Sequence, residues 1–175
     1  MSNPAISSAA LPIAHVVVRT LILLNWVMGA LIVALLVATP NEQWIMSAFK
    51  LSPSPDADRL VMGLRAVAVL GLVVVPLNYG ILKRLLAMVE TVRAGDPFVP
   101  TNAERLRTIA WSLLALQLLG MVIGTIGKAV STPAHPVHLD AGFSINGWLA
   151  VILTFVLARV FAEGTNMRDD LEGTV

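Results

Sequence analysis

Three groups of residues in this chain have the type and spacing for chemistry. The first is HPVHLD at 135–140. His135, His138 and Asp140 offer two imidazoles and a carboxylate, a ligand set suited to zinc or copper. Pro136 breaks any helical spacing between them, so they read first as a surface histidine pair and only second as a metal site. The second group is polar and lies inside otherwise apolar runs: Asn25, Arg65, Asn78 and Gln117. Amides at membrane depth form interhelical hydrogen bonds. An ion at that depth is by default a site. Arg65 is also close enough to a span end to snorkel, or to pair with Asp56 or Asp58. The third group is cytoplasmic by the topology derived below and could bind a partner: Gly95, Asp96, Pro97, Phe98, Asn102 and Arg105, with Arg168, Asp169 and Asp170.

Much chemistry is excluded. The chain has no cysteine, hence no disulfide, thiolate metal site or cysteine nucleophile. It has no P-loop, no G-x-S-x-G, no H-E-x-x-H and no glycine-rich dinucleotide loop. No aspartate or glutamate lies within a span, which argues against proton-coupled transport. No span interior holds a histidine, which argues against haem held between facing helices. The expectation is a protein without enzymatic activity, without a cofactor and without direct nucleic-acid binding.

The elements that must position these residues are set by four uncharged runs, at 20–41, 66–82, 108–127 and 141–158. A helix crosses a hydrocarbon core of about 30 Å at about 1.5 Å per residue, so each run is long enough to span. The composition is 57% hydrophobic and 13% charged, with a mean hydropathy of +0.80. A soluble domain is about 25% charged, so a water-facing surface is not covered here. The fold class expected is all-α: a polytopic membrane four-helix bundle forming a single domain over 1–175. The spans fall at about 16–38, 60–82, 108–127 and 141–159. The first run is too long for a secretory h-region and has no basic residue before Arg19, so it reads as a retained helix.

Charge orients the bundle. Lys83, Arg84, Arg93, Arg105 and Arg107 fall between spans two and three; Arg19, Arg159 and Arg168 fall near the termini. Lys50, Arg59, Arg65 and Lys128 fall on the other side. The bias of eight against four places both termini and the middle loop in the cytoplasm of a plasma-membrane protein. Trp44 and Trp148 then mark the outer interface and Trp111 the inner one, with Trp26 deeper.

Helices two, three and four outrun the membrane into the cytoplasm. After Lys83 a helical period persists through Leu85, Met88, Val89 and Val92, and Gly95 fits the left-handed position that ends a helix. Thr101 with Glu104 fits a capping box for helix three. A helical hairpin, 83–107, results, with GDPFVP at its tip; a C-terminal extension covers 160–175, weakened by Gly164. Helix one is expected from about Ala14, a short interfacial helix over 42–51, and a start to helix two capped by Asp56 or Asp58. Pro76 should kink helix two. Gly120 and Gly124 let a second backbone approach. It belongs either to helix one, through Ala30, Ala34 and Ala38, or to another copy in a homo-oligomer.

Two segments add a resemblance. RAGDPFVPTNAERLRTIAWSLL at 93–114 and FVLARVFAEGTNMRDDLEGTV at 155–175 are similar to a bacterial four-helix membrane family, domain of unknown function 2975. Its G-[DN]-P-F before N-x-x-R-L-R is matched by Gly95, Asp96, Pro97, Phe98, Asn102, Arg105, Leu106 and Arg107. Its ending is matched by Phe161, Gly164, Met167, Arg168, Asp169, Asp170, Leu171, Thr174 and Val175. The resemblance runs from helix one to the C-terminus. It implies no biochemical activity. Such proteins are often encoded beside a small helix-turn-helix DNA-binding regulator, which suggests sequestration of that regulator or signalling to it.

The leading expectation is therefore a regulatory membrane protein that binds a cytoplasmic partner. A small transporter or channel subunit and an outer-face metal or ligand sensor are the alternatives. The topology is directly testable. A fluorescent-protein fusion at either terminus is expected to fluoresce, and an alkaline-phosphatase fusion there to stay inactive; the reverse pattern would invert the bundle.

Overall fold

The computed structural model describes residues 4–40, 44, 47, 55–131 and 143–172. All regular structure among them is helical: α1 (Pro4–Ala38), α2 (Pro55–Arg93), α3 (Pro100–Val130) and α4 (Ile145–Glu172). The expected interfacial helix at 42–51 lies outside the described residues apart from Trp44 and Ser47. The candidate metal set His135, His138 and Asp140 lies outside them as well.

Each helix is long and apolar enough to cross a membrane, with mean hydropathies of 2.6, 2.4, 2.0 and 1.9 over an apolar stretch of 18 residues in each. Large apolar side chains face outward, Val37 and Ile145 at 74% exposure and Met62 at 73%. Such a surface is stable only in lipid. The chain is a multi-pass membrane protein with a four-helix bundle fold. At 39 residues α2 is about 58 Å long, far more than a bilayer core of about 30 Å requires.

Proline sets several boundaries. Pro55 and Pro100 open α2 and α3, where a missing N–H costs nothing. Asp56 and Asp58 therefore lie inside α2 rather than at its N-cap position. Helix one begins at Pro4, ten residues before the expected Ala14, and runs through Pro12. Pro76 likewise sits within an unbroken α2.

The extensive packing is between sequential neighbours: α1 on α2, α2 on α3, α3 on α4. Glycines make the first seam close. A Cβ on Gly29 would lie 3.1 Å from Val75, and one on Gly71 3.2 Å from Ile32. Asn25 adds a hydrogen bond from Nδ2 to the Val75 carbonyl at 3.1 Å, and Trp26 stacks at a tilt on Tyr79 at 5.6 Å. The expected meeting of Ala30, Ala34 and Ala38 with Gly120 and Gly124 does not occur. Helix α1 lies on α2, Ala30 and Ala34 are exposed, and a Cβ on Gly120 would meet nothing within 4 Å. Gly124 is buried within the chain.

Arg65 does not pair with Asp58. Its Nη2 donates to the Thr39 carbonyl at 2.5 Å. Thr39 ends α1, which has no basic residue in its last turn. Arg65 thus brings from α2 the positive charge that the carbonyl end of α1 attracts, and takes one of the carbonyls that the helix end leaves unpaired.

The α2–α3 seam is tightest at Gly63, where a Cβ would lie 2.5 Å from Val130 Cγ1. Gly63→Ala is expected to lower thermal stability by about 1–3 kcal/mol through overpacking. Adding Val130→Ala should recover most of the loss. A double-mutant cycle in detergent that shows simple additivity would refute this seam.

Candidate functional site

The described residues most specific in type gather at the end of the bundle formed by the α2–α3 hairpin. Helix α2 stops there by a backbone device. Gly95 takes φ +85°, its N–H bonds the Val92 carbonyl at 3.1 Å, and the Asp96 N–H reaches the Thr91 carbonyl at 3.1 Å. This pair of bonds is a Schellman turn, and a left-handed residue at its pivot favours glycine. Pro97 then forbids continuation.

Helix α3 starts differently from the expected capping box. Its N-cap is Val99, in extended geometry with no side-chain cap bond, and Pro100 follows. Thr101 and Glu104 therefore lie inside the helix. Asn102 takes the central position instead. Its side chain is fully buried, and every polar atom of its amide is used. Nδ2 donates to Thr91 Oγ1 at 2.7 Å and to the Pro97 carbonyl at 2.8 Å. Oδ1 accepts from Arg105 Nη1 at 2.8 Å. Thr91 in turn donates to the Met88 carbonyl at 2.8 Å. One amide ties the last turn of α2, the tip and the first turn of α3.

The tip is also fastened to α4. Phe98 lies against Phe161, ring centroids 5.3 Å apart. A Cβ on Gly164 would stand 3.0 Å from the Phe98 ring. Gly164 weakens a helix in isolation; here its bare backbone is the floor on which Phe98 sits. Arg168 Nη1 pairs with Asp96 Oδ1. The partial exposure of Phe98, Asp96 and Arg168 leaves this junction open at the surface.

Gly95, Asp96, Pro97, Phe98, Asn102, Arg105 and Arg168 thus belong to one assembly. Asp170 is exposed on the last turn of α4; the Asp169 side chain lies outside the described set. The sequence reading missed Thr91, whose only signal is its place one turn before the terminating glycine. It missed the contact of His15 Nε2 with Glu90 Oε1 at 3.9 Å, which joins α1 to the same end. The intramembrane polar residues do not converge. Asn25 serves the α1–α2 seam and Arg65 the end of α1. Gln117 Nε2 makes a long bond of 3.4 Å to the Ser144 carbonyl, its amide against Gly147. Asn78 is half-buried, about 20 Å along α2 from Arg65.

The polar groups of the assembly bond one another and fix a shape. The chain matches the family model described as a protein of unknown function (DUF2975) over residues 45–175 and belongs to that family. Helix α1 lies outside the matched residues. Neither the curated proteins nor the solved structures contain a match.

Asn102→Ala would strand the Thr91 hydroxyl and the Pro97 carbonyl and free Arg105, at a cost of about 1–3 kcal/mol for each group left buried and unpaired. Asn102→Asp should be as damaging, because a carboxylate cannot donate where Nδ2 does. Thermal unfolding of both variants in detergent checks this; an Asp variant as stable as wild type would contradict the donor assignment.

Proposed function

We propose that this is a non-enzymatic, regulatory protein of the inner membrane. Its hairpin end faces the cytoplasm and binds or sequesters a partner there, such as a small helix-turn-helix transcription regulator. The observation that carries this reading is the junction of the tip with α4 at Phe98–Phe161–Gly164 and Asp96–Arg168. Lipid-facing positions need only be apolar. Specific residue types are needed where a surface must have one shape, and here two segments some seventy residues apart in the chain, as Asp96 and Arg168 are, are locked into one surface. The basic residues around the hairpin support the cytoplasmic assignment.

Around the junction Val92 is 39% and Met167 63% exposed. With the edge of Phe98 they give apolar anchor points beside a charged pair, the composition of a small protein interface.

The test is co-purification with a co-expressed regulator encoded beside the protein. Met167→Glu, which leaves the Asp96–Arg168 and Phe98–Phe161 contacts in place, is expected to weaken the complex about tenfold or more. Phe98→Ala and Arg168→Ala should weaken it too, by loosening the junction. A complex that survives all three substitutions would place the partner elsewhere.

A further inference from the structure

A groove of about 410 Å³ lies beside the junction, lined by Arg84 of α2 and by Pro100, Thr101, Glu104, Arg105 and Thr108 of α3. Its two guanidinium groups are held from behind. Arg84 Nη1 donates to the Gly80 carbonyl at 2.9 Å, and the absence of a side chain on Gly80 lets the head group lie against the helix, 3.0 Å from where a Cβ would be. Arg105 Nη1 is fixed by the buried Asn102. Each guanidinium has five N–H donors, so most remain for a ligand. Among the described residues neither groove arginine is in an ion pair. The single carboxylate on the groove, Glu104, is exposed and leaves it net positive. Thr101 adds a hydroxyl, while the Thr108 hydroxyl is turned back to the Glu104 carbonyl at 2.9 Å.

The groove's level along the bundle identifies what can reach it. The apolar run of α2 ends at Leu82 and that of α3 begins at Thr108. Trp111, one turn deeper, is 56% exposed and rests edge-on against Phe155 at 5.4 Å, as aromatic residues do at the boundary between acyl chains and headgroups. The groove therefore opens into the headgroup layer. We propose that it binds the phosphate of an anionic phospholipid headgroup, with Arg84 and Arg105 as the ligating pair. Planar guanidinium forks match phosphate oxygens two at a time, and the bilayer supplies the ligand at high local concentration. Because Arg105 is bonded to Asn102, a bound headgroup would also brace the hairpin tip.

The test uses the full chain in neutral detergent, offered equimolar phosphatidylglycerol and phosphatidylcholine and read by native mass spectrometry. The wild type is expected to retain phosphatidylglycerol in preference by about tenfold, as one to two charge-assisted contacts provide. Arg84→Gln should remove most of that preference, and Arg107→Gln, exposed and off the groove, should leave it unchanged. Equal retention of the two lipids by the wild type overturns the proposal without recourse to any variant. So does a preference that Arg84→Gln, shown folded by circular dichroism, leaves intact. In a parallel arm, inorganic phosphate should not displace the lipid; displacement at millimolar phosphate would assign the groove to a free anion instead.

Discussion

The buried amide of Asn102 is the constraint on which the hairpin end depends. A helix can end at a Schellman turn and another can begin at a proline without fixing the angle between them. Here the angle is fixed because one side chain in the first turn of α3 donates to the last turn of α2 and to the tip, while its oxygen accepts from Arg105 a turn further along α3. A buried amide left half-bonded costs more than a complete set of bonds contributes. The arrangement is therefore close to all-or-none: the tip is in register or the amide is stranded. Phe98 and Asp96 reach α4 only because that register holds.

Elsewhere the bundle is held by close approach rather than by polar bonds. Lipid chains are as apolar as leucine, so burying apolar surface between helices contributes little in a bilayer. Backbone proximity and dispersion must do more, and at glycines 29, 63, 71 and 147 an added Cβ would come within 3.2 Å of a neighbouring side chain. The most polar residue of the span region, Arg65, answers the carbonyl end of α1 through Nη2, while its Nε is buried without a partner.

The family-like positions acquire a common physical meaning from this geometry. Gly95 turns the chain, Asp96 and Arg168 pair, Phe98 rests on Gly164, and Asn102 and Arg105 bond each other. They specify one shape at one end of the bundle, and that shape presents both a mixed apolar and charged junction and a neighbouring cationic groove.

The four spanning helices among the described residues, the glycine that stops α2 and the family were legible in the chain, because hydropathy runs and turn residues are properties of short stretches. Helix ends were less legible: the capping box at Thr101 and Glu104 and the caps at Asp56 and Asp58 lost to prolines that place the starts earlier. Tertiary structure alone decided that Gly164 serves Phe98, that Arg65 serves Thr39, and that Gly29 rather than the nearby alanines faces α2. Those pairings depend on the axial register and rotation of helices far apart in sequence, and a rotation of one residue, about 100°, exchanges the buried partner for a lipid-facing one.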